Sequence, residues 1–106
     1  LAENDLGKKG ETLRSLEKTV SLDPKHARAW YNLGLLRHEL KDSAGAIDAL
    51  RKAEALDPSN AQIIYARATI HAQLGQLPEA QAAAQRVLEL QPGSQDAQIL
   101  LQTMGR

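Results

Sequence analysis

An all-α chain of stacked antiparallel helix hairpins is the fold class that this sequence predicts, on three observations. Residues that lose little entropy on entering a helix, Ala, Leu, Gln, Glu and Arg, dominate the composition, while aromatics make up 3% and Phe is absent. The tripeptides Leu22-Asp23-Pro24, Leu56-Asp57-Pro58 and Leu90-Gln91-Pro92 recur at steps of 34 residues, a period that marks an array of like supersecondary units. Between the prolines, apolar and small residues fall at helical spacing.

The first segment, about residues 10 to 22, carries Leu13, Leu16 and Val20 at steps of three and four and reads as the second helix of a hairpin. Gly7 stands where a preceding first helix would end, so residues 1 to 26 correspond to the end of a unit whose first helix is mostly absent. In the central unit, 27 to 60, Trp30, Leu33, Gly34 and Arg37 mark a helix over about 26 to 40. Ala46, Ile47, Leu50, Ala53 and Leu56 mark its partner over about 43 to 56. Lys41 occupies the turn between them, 34 residues after Gly7 and 34 before Gly75, and without a glycine there the cap is the weaker one.

In the unit 61 to 94, Ile64, Arg67, Ala68 and His71 mark a helix over about 60 to 74, and Ala80, Ala84, Val87, Leu88 and Leu90 one over about 78 to 90. A final helix over about 95 to 104 shows Ala97, Gln98, Leu101 and Gln102 and reads as a half-polar cap. Each proline stops the helix before it and, having no N–H to lose, suits the opening of the next. Asp23 and Asp57, just ahead of two of the prolines, are the expected N-caps.

A length of 106 residues is one domain's worth of chain. Its 13 basic and 13 acidic residues cancel, which leaves no field to draw in nucleic acid or an anionic membrane. The absence of cysteine excludes disulfides, thiolate metal sites and a thiol nucleophile. No apolar run approaches the roughly 18 residues of a membrane span, and no basic-then-apolar signal segment opens the chain. The first residue is Leu1, so the chain reads as a fragment of a longer protein, with the cytoplasm as the default compartment.

The residues at fixed places in the unit resemble the tetratricopeptide repeat. They are a large residue at position 4 (Trp30, Ile64), Leu at 7 (Leu33), a small residue at 8 (Gly34, Ala68) and at 20 (Ala46, Ala80), and Pro at 32. The unit 27 to 60 matches best; the next departs where Arg67 stands for Leu and His71 for Tyr. Pentatricopeptide arrays, which read RNA and are basic, fit the 34-residue step and the zero net charge less well. The resemblance implies a right-handed superhelical stack in which the small residues allow close helix approach and the first helix of each pair lines a concave surface. Trp30 and Leu33 are expected to fill the core beside them, with Trp30→Ala costing about 3 to 5 kcal/mol.

On those first helices the stripe beside the core-facing positions is Arg28, Tyr31, Leu35 and His38, then Gln62, Tyr65, Thr69 and Ala72. Tyr31 and Tyr65 lie one unit apart in sequence and are expected side by side, the kind of residue that anchors interfaces. Asn32 joins them as the one residue at a place where a specialised branch of the family grips chaperone tails with Lys, Asn and Arg. The places that should be basic in the following helix hold Gln62 and Ala66, so that clamp is not expected. A largely neutral groove suits a protein partner presenting a peptide or helix to aromatic, amide and apolar contacts.

No nucleophile stands with a base, no phosphate loop is present, and His26, His38 and His71 are scattered, so neither catalysis nor a bound metal or cofactor is expected. Glu39 beside His38 reads as a solvated pair. Two function classes remain: an interaction scaffold that binds through the concave groove, and a structural or self-assembly segment of a larger, even enzymatic, multi-repeat protein. With residues 1 to 6 too few to cover Leu13, Leu16 and Val20, a homodimer through the N-terminal end is a further expectation.

Overall fold

The computed structural model describes residues 2–104, with side chains from residue 7 onward. Six helices follow one another: α1 (Ala2–Leu22), α2 (Ala27–Glu39), α3 (Ser43–Leu56), α4 (Ala61–Gln73), α5 (Leu77–Leu90) and α6 (Gln95–Met104). The described residues contain no strand. Contacts divide the chain into two compact units, residues 1–56 and 57–106. In the first, α2 and α3 form the hairpin and α1 packs on α2; in the second, α4 and α5 form the hairpin and α6 packs on α5 and α4.

The 34-residue period is visible atom by atom in the turns. Before α2, α4 and α6 the backbone N–H of His26, Asn60 and Ser94 donates to the carbonyl of Asp23, Asp57 and Gln91 at 3.1, 3.1 and 3.0 Å. The same three residues cap the helices that follow. His26 Nδ1 accepts from Ala29 N–H, Asn60 Oδ1 from Gln62 N–H and Ser94 Oγ from Ala97 N–H. The caps therefore sit three residues beyond the expected Asp23 and Asp57, and the prolines lie in the turn rather than at a helix start. Asp23 instead accepts from Lys25 N–H, and Asp57 from the Asn60 amide. A carboxylate two or three residues upstream satisfies the turn, which leaves the helix amides to the next polar side chain.

Within the hairpins, Lys41 and Gly75 take φ of 72° and 76°. Behind them, Asp42 N–H donates to Arg37 O at 2.8 Å and Gln76 N–H to His71 O at 2.9 Å, the six-to-one bond of a Schellman cap. Lys41 thus adopts the left-handed conformation despite its Cβ. Gly7 does not: α1 runs unbroken through it, so the expected helix end there is absent and the first helix is 21 residues long.

Each unit has its own core. In the first, Val20, Ala29, Leu33 and Ala49 are buried together, with Leu13, Leu16 and Trp30 packed against them. The stripe on which an N-terminal dimer contact was expected is thus covered at Val20 and half-covered at Leu13 and Leu16 by α2, within the chain. A Cβ on Gly34 would lie 2.8 Å from Leu50 Cγ and 3.1 Å from the Ala46 carbonyl oxygen, which is the close helix crossing that a residue without a side chain permits. Trp30 is only half-buried; its indole N–H donates to Pro24 O at 2.8 Å and the Lys52 ammonium lies 4.6 Å from the ring centroid. In the second unit Ile64, Ala68, Ala80, Ala84, Val87 and Ala97 are buried, with Tyr65, Leu88 and Leu101 against them.

Candidate functional site

The expected stripe divides into outward and half-packed residues. Arg28, Asn32 and Gln62 are exposed, whereas Tyr31, Leu35, His38, Tyr65, Thr69 and Ala72 are half-buried. Tyr65 and Ala72 lean on the core of the second unit, so each contributes only part of its surface to the outside. Thr69 spends its hydroxyl hydrogen on the Ala66 carbonyl at 2.8 Å, back along its own helix, which leaves its methyl and the two lone pairs of its oxygen to a partner. His38 Nδ1 is buried and has no partner among the described residues. A buried lone pair costs less than a buried N–H without an acceptor, so the proton belongs on Nε2. Glu39 pairs with Lys9 at 3.3 Å rather than with His38, and Arg37 reaches Glu17 at 3.5 Å, two exposed or half-exposed pairs that tie α1 to α2.

The second unit holds an open cleft of about 420 Å³ where the start of α4, the end of α5 and the start of α6 meet. Asn60, Gln62 and Tyr65 line it from one side, Val87 and Gln91 from the second, and Ser94 and Asp96 from the third. Two of the expected groove residues, Gln62 and Tyr65, are thereby brought into one concavity of a size that takes a long side chain or a small ligand. Asp96 and the neighbouring Ile99, 58% exposed on α6, escaped the sequence reading. The signal for them existed: adding the 34-residue step to Gln62 and Tyr65 lands on Asp96 and Ile99. Gln91 had no such signal, because its part in the cleft depends on where α5 ends.

His71, at a position of the core face, is 2% exposed and fully engaged. Its Nε2 lies 3.5 Å from Arg67 Nη1 and its Nδ1 2.7 Å from Gln76 Oε1. Arginine only donates, so Nε2 accepts and Nδ1–H donates to Gln76. The ring thereby locks the end of α4 to the turn that leads into α5. Among the described residues no three His, Asp or Glu are placed to hold a metal ion, and no helix is long and apolar enough to cross a membrane.

Comparison with known proteins agrees with this architecture. A family model described as tetratricopeptide repeat matches residues 3–61, and a second of the same description matches residues 37–103. Among solved structures, the first repeat domain of Spaghetti (RPAP3), bound to the HSP90 peptide SRMEEVD, is similar over 95% of this chain and 80% of its own, with 28% identity and a TM-score of 0.87. The first such domain of human RPAP3, solved by NMR, also shares 28% identity over 95% of this chain and 80% of its own, with a TM-score of 0.84. The MamA protein shares 28% identity at a TM-score of 0.82, and there the match spans 95% of this chain but 57% of MamA. The fold is the all-α helical-repeat solenoid. On the two family models and the repeat-by-repeat agreement of turns and caps, the chain belongs to the tetratricopeptide repeat family.

Proposed function

We propose that this chain is a protein-interaction scaffold that holds a peptide or helical segment of its partner on the first helices of its hairpins. The contact residues are Arg28, Tyr31, Asn32, Leu35 and His38 on α2 and Gln62, Tyr65 and Thr69 on α4. The observation that carries this reading is the cleft beside Tyr65, a concavity with one aromatic wall on α4 and the amides of Asn60, Gln62 and Gln91 around it. The likeness to a repeat domain that binds the HSP90 peptide SRMEEVD supports the mode of binding but not the same peptide. Gln62 and Ala66 stand where a grip on an acidic tail would need positive charge, and Ala66 is moreover buried. Aromatic, amide and apolar contacts remain, and the cancelling charges favour a protein partner over nucleic acid or a membrane.

The test is affinity capture of the natural partner by the chain and by the double variant Tyr31→Ala, Tyr65→Ala. Retained partner should fall about tenfold or more, as for loss of two interface aromatics, while helicity by circular dichroism stays near that of the parent. Undiminished capture by a folded double variant would move the binding function to another face.

A further inference from the structure

We propose that the cleft of residues 57–106 receives a basic side chain of the bound peptide, an arginine in preference to a lysine; this rests on the groove reading above. Of the residues that line the cleft, Asp96 alone is charged, and neither lysine nor arginine is among them. Residues 57–106 contain no lysine at all, and Arg86, on α5, is held by Glu89 at 3.1 Å. Asn60 and Ser94 are committed to capping α4 and α6. The side-chain groups that remain for a guest are the Asp96 carboxylate, the Gln62 and Gln91 amides, the Tyr65 phenol and the Ser59 hydroxyl.

The backbone dipoles do not decide the sign of the site. Two helix starts put partial positive charge at the cleft, the end of α5 puts partial negative charge there, and each amounts to about half a charge at most. The whole charge of Asp96 sets the preference. A guanidinium suits the geometry better than an ammonium: its plane can lie on the Tyr65 ring, and its fork can donate to the carboxylate and to amide oxygens together. Ile99, one turn beyond Asp96 on α6 and 58% exposed, offers the apolar contact for a residue flanking the arginine. An acidic peptide end would meet a carboxylate in the same place, which gives discrimination by repulsion as well as by attraction.

The probe is a set of three end-blocked pentapeptides of sequence Gly-Leu-X-Leu-Gly, with X as Arg, Gln or Glu, titrated into the isotopically labelled chain and followed by NMR. The Arg peptide should shift the amides of Gln62, Tyr65 and Asp96 and bind about tenfold more tightly than the Glu peptide, the ratio set by exchanging one attractive partly exposed ion pair for a repulsive one. Asp96→Asn should bring the Arg and Gln peptides to within about twofold of each other, and Gln62→Glu should widen the gap between Arg and Glu. Equal binding of all three peptides, a preference for Glu, or discrimination that survives in Asp96→Asn overturns the basic-residue inference and leaves the groove reading standing. Absence of shifts at the cleft with every peptide also overturns it, while the groove reading answers separately to capture of the natural partner by the tyrosine double variant.

Discussion

Adding one carbon to Gly34 is the most direct probe of how the first unit is assembled. A Cβ there would stand 2.8 Å from Leu50 Cγ, 3.0 Å from Leu50 Cδ2 and 3.1 Å from the Ala46 carbonyl oxygen, all inside the 3.5 to 4.0 Å of an ordinary carbon contact. Leu50 is fully buried, so its branch point has nowhere to retreat, and the carbonyl belongs to the α3 backbone. Overpacking of this kind costs about 1 to 3 kcal/mol, against which alanine's helix propensity over glycine returns up to about 1 kcal/mol. The net expectation for Gly34→Ala is a destabilisation of about 1 kcal/mol, or about 4 to 8 °C in Tm for a domain of this size. Gly10 in α1 supplies the control, because nothing lies within 4 Å of its Cβ position. Gly10→Ala should therefore stabilise by about 0.5 to 1 kcal/mol. Thermal and urea unfolding followed by far-ultraviolet circular dichroism would measure both. If Gly34→Ala stabilises as much as Gly10→Ala, the close crossing of α2 on α3 is wrong.

Lys41→Gly should stabilise by about 0.5 to 1 kcal/mol, because it removes a left-handed Cβ at φ 72°, whereas Gly75→Ala should destabilise by about 1 to 2 kcal/mol at φ 76°; opposite shifts in the urea midpoint check the pair. Ala46→Leu and Ala80→Leu, both at fully buried positions, should each cost about 1 to 3 kcal/mol, and an unchanged melting temperature in both would show that these sites are not at tight crossings. Trp30→Ala should cost about 3 kcal/mol, at the foot of the range for a fully buried aromatic, since its ring is half-exposed beneath Lys52; a larger loss at constant denaturant slope would mean that the ring carries more of the core than its exposure implies.

The hairpin architecture was legible because a repeat writes the same local chemistry several times. Leu-x-Pro at three places located the inter-hairpin turns, and the small residues Gly34, Ala46, Ala68 and Ala80 are indeed buried at helix contacts. Lys41, read as a substitute for the glycine of its turn, takes that glycine's backbone conformation. Helix propensity, apolar spacing and the demand of a left-handed turn act over a few residues, and a sequence displays them directly. Gly7 shows where this stops. The same residue that ends α4 at Gly75 passes through α1 at Gly7, because a glycine permits a turn and only the packing of the flanking segments imposes one. The caps behave alike: Asp57 and Asn60 are both competent, and the turn geometry assigned the cap to Asn60. For the candidate site, the periodicity picked out one helix face in each unit, that of Tyr31 on α2 and that of Tyr65 on α4, yet how far each side chain emerges was set by the helices beside it. The cleft that joins Gln62 and Tyr65 to Gln91 and Asp96 exists only where three helix ends converge, and residues so far apart in sequence become neighbours through burial of their helices' apolar faces, a non-local energy that no local pattern records.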